Sequence, residues 1–570
     1  MKIGSMAAAL QIALLLFAPM CATRPDHLPL DEKIGQLFVA GARGTFMAES
    51  STAYQQLVHE VRDNHVGGFI WFVSNVYETA LLNERLQSQS KVPLLISADL
   101  ESGIGMRFLD TTFWPSAMAV AATGDPSYAE KQGRVVAIEA RSVGINHILA
   151  PVADVNVDAD NPVINTRSYG EDPQQVGRFV SAFIRGVQSE HVLACAKHFP
   201  GHGDTHVDSH RSLPVLNVTR ERLDRVELVP FREAIGTGVK SIMIGHLSIP
   251  SIEPALAPVR ASGHGENPYG TRPDEVPSAG TIPATVSRNV ITNLLRHDLG
   301  FKGLVVSDAF DMGGLTEHFD VGEAAIRAIE AGEDQVFMSP DVDAAIAAVK
   351  DAVRSGRISE ARIDESVGRI RDAKQFAGTT KVDPETIFRT IDAPEHRALA
   401  AEIAQRALTL VRSEAGVLPV RRDARVLLVI VNDNPETPNV MGELQNELTA
   451  RLATPPVVST GERRPPSGER FDVAIIAMAV RARSGAGSIA IPQAAREFIQ
   501  SLQIPTIAIS FGSPYLLREV PNVGTYVCAY GIQPVMQTAA VNALFGDTHF
   551  SGRLPVTIPS FAKSGDGIQR

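Results

Sequence analysis

The run Lys197-His198-Phe199-Pro200-Gly201-His202-Gly203-Asp204-Thr205-His206-Val207-Asp208-Ser209-His210 packs one lysine, four histidines and two aspartates into fourteen residues. It follows the apolar stretch Val192–Ala196, so it leaves a strand as a loop. A solvated loop has no need of so many imidazoles. Asp208 and His210 stand two residues apart, a spacing at which a carboxylate can fix an imidazole tautomer and raise its basicity for proton transfer. His and Asp are also metal ligands, and a merely His-rich surface loop is the third reading. The four histidines recur every four residues, which would align ligands on a helix, but Pro200 and Gly203 break such a helix. No metal and no cofactor are expected.

A second chemical feature is Leu304-Val305-Val306-Ser307-Asp308-Ala309-Phe310-Asp311-Met312. Asp308 stands one residue beyond an apolar run, at the point where its side chain would enter a pocket. An ionised aspartate there can act as a nucleophile, and retaining glycosidases pair such a carboxylate with an acid/base across the scissile bond. Asp311 reads equally well as a helix N-cap.

These residues need a frame that brings them together. Eight short apolar runs span residues 37–338: Leu37–Gly41, Gly68–Phe72, Leu94–Ala98, His147–Val152, Val192–Ala196, Ser241–Gly245, Leu304–Ser307 and Gln335–Met338. Helix-like stretches lie among them, at Ser51–Asn64, Pro126–Ser142, Pro173–Glu190 and Thr219–Gly236, and Asp341–Ser355 follows. Strand–helix alternation of this kind implies a (β/α)8 barrel, whose functional groups sit at the carboxyl ends of the strands. There the chain offers Asp99, Glu101 and Arg107; Asp154, Asn156 and Arg167; Lys197 and His198; His246; and Asp308. The pattern restarts near residue 376. A connector, Gly378–Pro394, leads to a helix pattern over Glu395–Arg412. Buried strands follow at Val426–Val431, Val473–Ala479, Thr506–Phe511 and Tyr526–Tyr530, and Thr454–Glu469 reads as a Pro- and Gly-rich loop. The expected organisation is a leader over 1–24, a catalytic barrel over 28–376, a linker over 377–394 and a smaller α/β layered domain over 395–570. Ser484-Gly485-Ala486-Gly487 lacks the Lys-Ser/Thr of a phosphate loop. Pro250–Gly280 reads as an insertion after the sixth strand, either a lid over the pocket or a surface excursion.

Composition narrows the partners. The 570-residue chain is 44% hydrophobic with a net charge of −11, which argues against nucleic acid and against an anionic membrane surface. Aromatic residues make up only 6%, with two tryptophans, which favours a pocket over a long polysaccharide groove. Lys2 and the apolar Ala7–Ala18 form an export signal too short to span a membrane. Cys21 stands where a bacterial lipoprotein is cleaved and acylated, so membrane attachment through a lipidated Cys21 is one expectation. Ala18-Pro19-Met20 matches the usual small-residue lipobox poorly, which keeps plain cleavage or an uncleaved anchor open. The expected location is the periplasm or envelope. Cys195 and Cys528 lie in apolar runs and read as buried free thiols.

The segment KHFPGHGDTHVDSH resembles the signature of bacterial β-N-acetylglucosaminidases of glycoside hydrolase family 3. SADLESGIGMRF (97–108), NPVINTRSYGEDP (161–173), PATVS (283–287), VVSDAFDM (305–312) and LFGDTHFSGRLPVTIP (544–559) are similar to further segments of that family. The resemblance implies a retaining exo-β-N-acetylglucosaminidase acting on small GlcNAc-containing fragments of peptidoglycan or chitin. It assigns Asp308 as nucleophile, His210 with Asp208 as acid/base dyad, and Asp99, Arg107, Arg167, Lys197 and His198 to the sugar. The chain departs from the family at Ser102-Gly103, where two glycines are usual, and at Gly105, where a bulkier residue is common. No second-domain carboxylate stands out, unlike in the family's β-glucosidases. The alternatives are a β-glucosidase, a glycoside phosphorylase, a metallohydrolase, and a non-catalytic sugar-binding envelope lipoprotein on the same fold.

Overall fold

The computed structural model describes residues 28–108, 111–258, 260, 280–434, 436–460, 469–483 and 488–570. The leader with Cys21, most of the Pro250–Gly280 insertion and the glycine stretch 484–487 lie outside the described residues.

Eight parallel strands close into a barrel: β1 (Phe38–Gly44), β2 (Gly68–Ser74), β3 (Leu95–Ala98), β4 (His147–Ile148), β5 (Leu193–Phe199), β6 (Ser241–Ile244), β7 (Leu304–Ala309) and β8 (Gln335–Phe337). Closure comes from β1 pairing with β8 through Phe38↔Val336 and Val39↔Phe337. The runs are continuously apolar because both faces of each strand are covered, one by the barrel interior and one by helices. Helix Pro173–Gln188 shows how the outer layer is specified. Asp172 caps it by accepting the Gln174 and Gln175 N–H groups, and Pro173 occupies the first turn, where a missing donor costs nothing. Val176, Phe179, Val180, Phe183, Ile184 and Val187 form its buried face, each contributing about 1.5–3 kcal/mol. Its neighbour Ser127–Ser142 approaches so closely that a Cβ on Gly186 would lie 2.0 Å from the Glu130 carbonyl oxygen. The expected helix over Thr219–Gly236 is two helices, Arg220–Arg225 and Val229–Gly236. Pro230 begins the second because it cannot donate to a preceding turn.

The second domain is a six-stranded sheet in the order β11-β10-β12-β13-β14-β9. Its strands are β9 (Thr409–Arg412), β10 (Val426–Asn432), β11 (Val457–Thr460), β12 (Val473–Ala479), β13 (Thr506–Ser510) and β14 (Thr525–Cys528). Two of these differ from the sequence reading. The helix expected to reach Arg412 ends at Ala407, and the β-branched run after it pairs antiparallel with β14 through Leu410↔Val527. The stretch expected as loop contains β11, an edge strand on β10 whose Val458 stays exposed. Within the expected connector, Pro384–Thr390 forms a helix with Ile387 buried.

The domains are fastened by polar contacts. Asn156 Nδ2 donates to Tyr515 Oη at 2.9 Å, and Glu171 accepts the Thr557 N–H at 2.7 Å and its hydroxyl at 2.6 Å. His396 Nδ1 meets the buried Glu139 carboxylate at 2.7 Å. Cys195 and Cys528 are free and buried. Burial pushes the Cys195 thiol up to about 12 and that of Cys528 higher still. Among the described residues no helix is long and apolar enough to cross a membrane.

Candidate active site

The carboxyl ends of the barrel strands converge on a cavity of about 430 Å³. Asp99, Arg107, Arg167, Lys197, His198, His210 and Asp308 all line it, and Asp208 lies buried directly behind His210. Lys197 and His198 are within β5 itself, and Asp308 is within β7, so rigid strands aim these side chains. Asp99 and Arg107 flank the turn after β3; Arg167 comes from the long loop after β4.

Charges in the cavity neutralise one another in a chain. Asp99 accepts Arg107 Nη2 at 2.6 Å and Lys197 Nζ at 2.7 Å. Lys197 Nζ also meets Glu101 Oε1 at 2.8 Å. Glu101 in turn holds Arg167 through two parallel bonds of 2.9 and 2.8 Å, the fork geometry that guanidinium favours. Burial alone would raise both carboxyls, but Lys197 and Arg107 hold Asp99, and Arg167 and Lys197 hold Glu101, well below the usual carboxylate range. The cations are thus fixed as hydrogen-bond donors for a neutral polar ligand such as a sugar.

His198 is oriented from behind. Asp154, fully buried, contacts its Nδ1 at 2.8 Å and accepts the His202 N–H at 2.7 Å. That places the proton on Nδ1 and leaves Nε2 as the cavity-side nitrogen, 3.4 Å from Arg167 Nη2. His210 is held in the same way: its Nδ1 lies 2.8 Å from Asp208 Oδ1, which also accepts the His210 N–H at 3.0 Å. A buried carboxylate on Nδ1 fixes the ring and assigns proton exchange to Nε2. Asp308 Oδ1 accepts the Ala309 N–H at 2.8 Å. Burial opposes its charge, but His198, His246 and His210 outweigh burial and keep Asp308 below its ordinary value. A carboxylate ionised at neutral pH beside an imidazole acid/base is a constellation for glycosyl transfer.

Four residues of the site lay outside the candidate set. Glu101, Asp154 and His246 were visible as ionisable groups at strand ends but had no assigned partner. His202 is not a ligand in a row of imidazoles. Its Nδ1 contacts Thr205 Oγ1 at 2.7 Å and its Nε2 contacts Ser209 Oγ at 3.1 Å. His206 is exposed and paired with Asp158. Among the described residues no group of three or more His, Cys, Asp or Glu side chains is placed to hold a metal ion. Asp311 does not cap a helix; the helix Gly313–Thr316 begins after Met312. The second domain contributes Arg481, Ala482, Arg483 and Tyr530–Gln533 to the cavity wall, with no carboxylate among the described lining residues. Of the segment Ser102–Gly105, the glycine kept at Gly103 and the one found at Gly105 each have a local cause, and nothing in the structure explains Ser102. Gly103 has φ +76°, and a Cβ there would meet Trp114 Cδ1 at 2.1 Å; a Cβ on Gly105 would meet the Phe113 backbone at 2.8 Å.

Residues 29–373 match the glycosyl hydrolase family 3 N-terminal domain. The chain belongs to glycosyl hydrolase family 3. A curated relative extends the match across both domains. A beta-N-acetylglucosaminidase/beta-glucosidase of Cellulomonas fimi is 32% identical over 92% of this chain and 93% of its own length. Beta-hexosaminidase A of Pseudoalteromonas piscicida is 33% identical over 68% of this chain and 66% of its own. Among solved structures, a family 3 beta-N-acetylglucosaminidase from Paenibacillus sp. str. FPU-7 superposes with a TM-score of 0.76 at 31% identity, covering 93% of this chain and 99% of that one. A beta-glucoside phosphorylase, BglX, bound to 2FGlc superposes with a TM-score of 0.83 at 26% identity, covering 94% and 95%.

Proposed function

We propose that this family 3 enzyme is a retaining exo-β-N-acetylglucosaminidase that removes terminal β-linked GlcNAc from peptidoglycan or chitin fragments. The observation that carries the reading is the Asp208–His210 pair, 2.8 Å apart, on the same cavity as an ionised Asp308. In the first step Asp308 attacks the anomeric carbon while the glycosidic C–O bond breaks. His210, protonated on both ring nitrogens with Nδ1–H on Asp208, gives its Nε2 proton to the departing oxygen and is left neutral. In the second step His210 takes a proton from water. The resulting hydroxide attacks the anomeric carbon and releases Asp308. The names of the relatives support the acetamido sugar. The N-terminal pattern of Lys2, Ala7–Ala18 and Cys21 supports action outside the cytoplasmic membrane.

The test compares an aryl β-N-acetylglucosaminide with the matching aryl β-glucoside, using the wild type, Asp308→Ala and His210→Ala. A preference for the acetamido sugar, lost in both variants while circular dichroism stays unchanged, supports the reading. Full activity in either variant rejects it. A second reading, glycoside phosphorylase, is favoured by one feature: an imidazole acid/base puts no second carboxylate in the path of an incoming phosphate.

A further inference from the structure

The cations of the barrel wall are each matched by a carboxylate, whereas of the two that the second domain adds only Arg483 has one. Arg107, Lys197 and Arg167 share Asp99 and Glu101. Across the cavity, Arg481 and Arg483 project from the end of β12 and line the same space. Arg483 reaches Asp433, donating from Nη2 to its backbone oxygen at 3.0 Å and to Oδ2 at 3.3 Å. Its Nε is buried with no hydrogen-bond partner. Arg481, half-buried, forms no hydrogen bond or ion pair among the described residues. Asp433 is thus the single carboxylate paired on this wall, through Arg483, and it does not itself line the cavity. A buried guanidinium N–H left without an acceptor is costly unless a ligand fills it.

The topology points to the same place independently. Strands β10 to β14 run in the spatial order β11-β10-β12-β13-β14, so successive connections leave β10 in opposite directions. The carboxyl ends of β10 and β12, paired through Asn432↔Ala479, are the switch point of this sheet. Open parallel sheets bind ligands in the crevice at that point. Asp433 follows β10 directly, and Arg481 and Arg483 follow β12. Here the crevice opens into the barrel's cavity.

We propose that Arg481 and Arg483 form an oxyanion subsite within the catalytic cavity, which takes either a carboxylate on the leaving group or a free phosphate acting as acceptor. Planar guanidinium forks match both anions bidentately. The proposal rests on the glycosidase reading for its turnover test and extends it to the reacting partner. With phosphate as acceptor the second step balances without water: a phosphate oxygen attacks the anomeric carbon, the Asp308–sugar bond breaks, and a sugar 1-phosphate leaves.

The experiment uses a neutral aryl glycoside and the same glycoside with a ring carboxylate, each with and without inorganic phosphate. It is run on the wild type and on Arg481→Gln/Arg483→Gln. The expected result is a wild-type preference in kcat/KM for the carboxylated leaving group of about tenfold or more, or phosphate-dependent formation of sugar 1-phosphate, and loss of that discrimination in the double variant. The first outcome identifies a leaving-group carboxylate and the second free phosphate. Phosphate-dependent stabilisation of the wild type in thermal unfolding, absent from the variant, reads the subsite without turnover. Failure of the wild type to cleave any aryl glycoside sinks the glycosidase reading and leaves the thermal test to decide the subsite. A wild type showing neither discrimination nor thermal stabilisation overturns the proposal, as does a variant that loses both glycosides in equal proportion while keeping the stabilisation.

Discussion

His202 Nε2 and Ser209 Oγ are 3.1 Å apart, and this contact joins the segment after β5 to the loop that carries the Asp208–His210 pair. Burial pushes the His202 imidazole down to about 4, so the latch is a neutral hydrogen bond at physiological pH. Ser209→Ala should therefore loosen the position of His210 without disturbing Arg107, Arg167 or Lys197. A single neutral hydrogen bond contributes about 1 kcal/mol, so kcat should fall about fivefold with little change in KM. Steady-state kinetics check this, and a rise in KM at constant kcat would contradict it.

Asp208→Asn keeps the shape of the pair but removes the carboxylate that faces His210 Nδ1. A general acid contributes about 10²–10⁴-fold, and the loss should depend on the leaving group. An alkyl glycoside, which needs protonation, should lose far more than a nitrophenyl glycoside, which departs as a stable anion. Equal losses on both would show that the pair does not deliver a proton.

Asp308 must be ionised to attack, and it is held below its ordinary value. Its protonation should therefore set an acid limb of kcat/KM below the usual carboxylate range near 4. Among the groups opposing burial, His198 acts most strongly. His198→Asn should move that limb upward. The pH profile of the variant is the measurement, and an unmoved limb would remove His198 from the field around Asp308.

Lys374 tests the barrel scaffold rather than its chemistry. It is buried, donates to Gln36 Oε1 at 2.6 Å, and burial pushes its ammonium down to about 7. In the unfolded chain a lysine titrates near 10.4. Between those values only the unfolded state holds the proton, so stability rises with pH across this window. Below about 7 the folded state carries the full penalty, up to about 4–5 kcal/mol. Lys374→Met should raise Tm more at pH 6 than at pH 10. Equal shifts in thermal unfolding at the two pH values would exclude the effect.

The barrel was legible because each of its strands contains a short, largely apolar and buried run, and the ends of those runs pointed to the cavity. His198, Lys197 and Asp308 could be placed from sequence because they are in or next to those runs. Asp154 and Glu101 were visible but not interpretable, since their partners, His198 and Arg167, are distant in sequence and meet them only on barrel closure. Arg481 and Arg483 carried no signal at all. They reach the cavity through the packing of one domain on another, which leaves no local periodicity. β9 and β11 escaped because four-residue strands next to a helix or a proline-rich segment give too little alternation to read.

The two buried thiols, Cys195 in the barrel and Cys528 in the second sheet, are each held protonated within a separate apolar layer. Neither can become a thiolate without leaving its core. The described domains are for that reason redox-silent: among the described residues, oxidants and reductants meet no covalent crosslink to break and no exposed thiol to arm. The folded unit should keep the same activity under glutathione as under air.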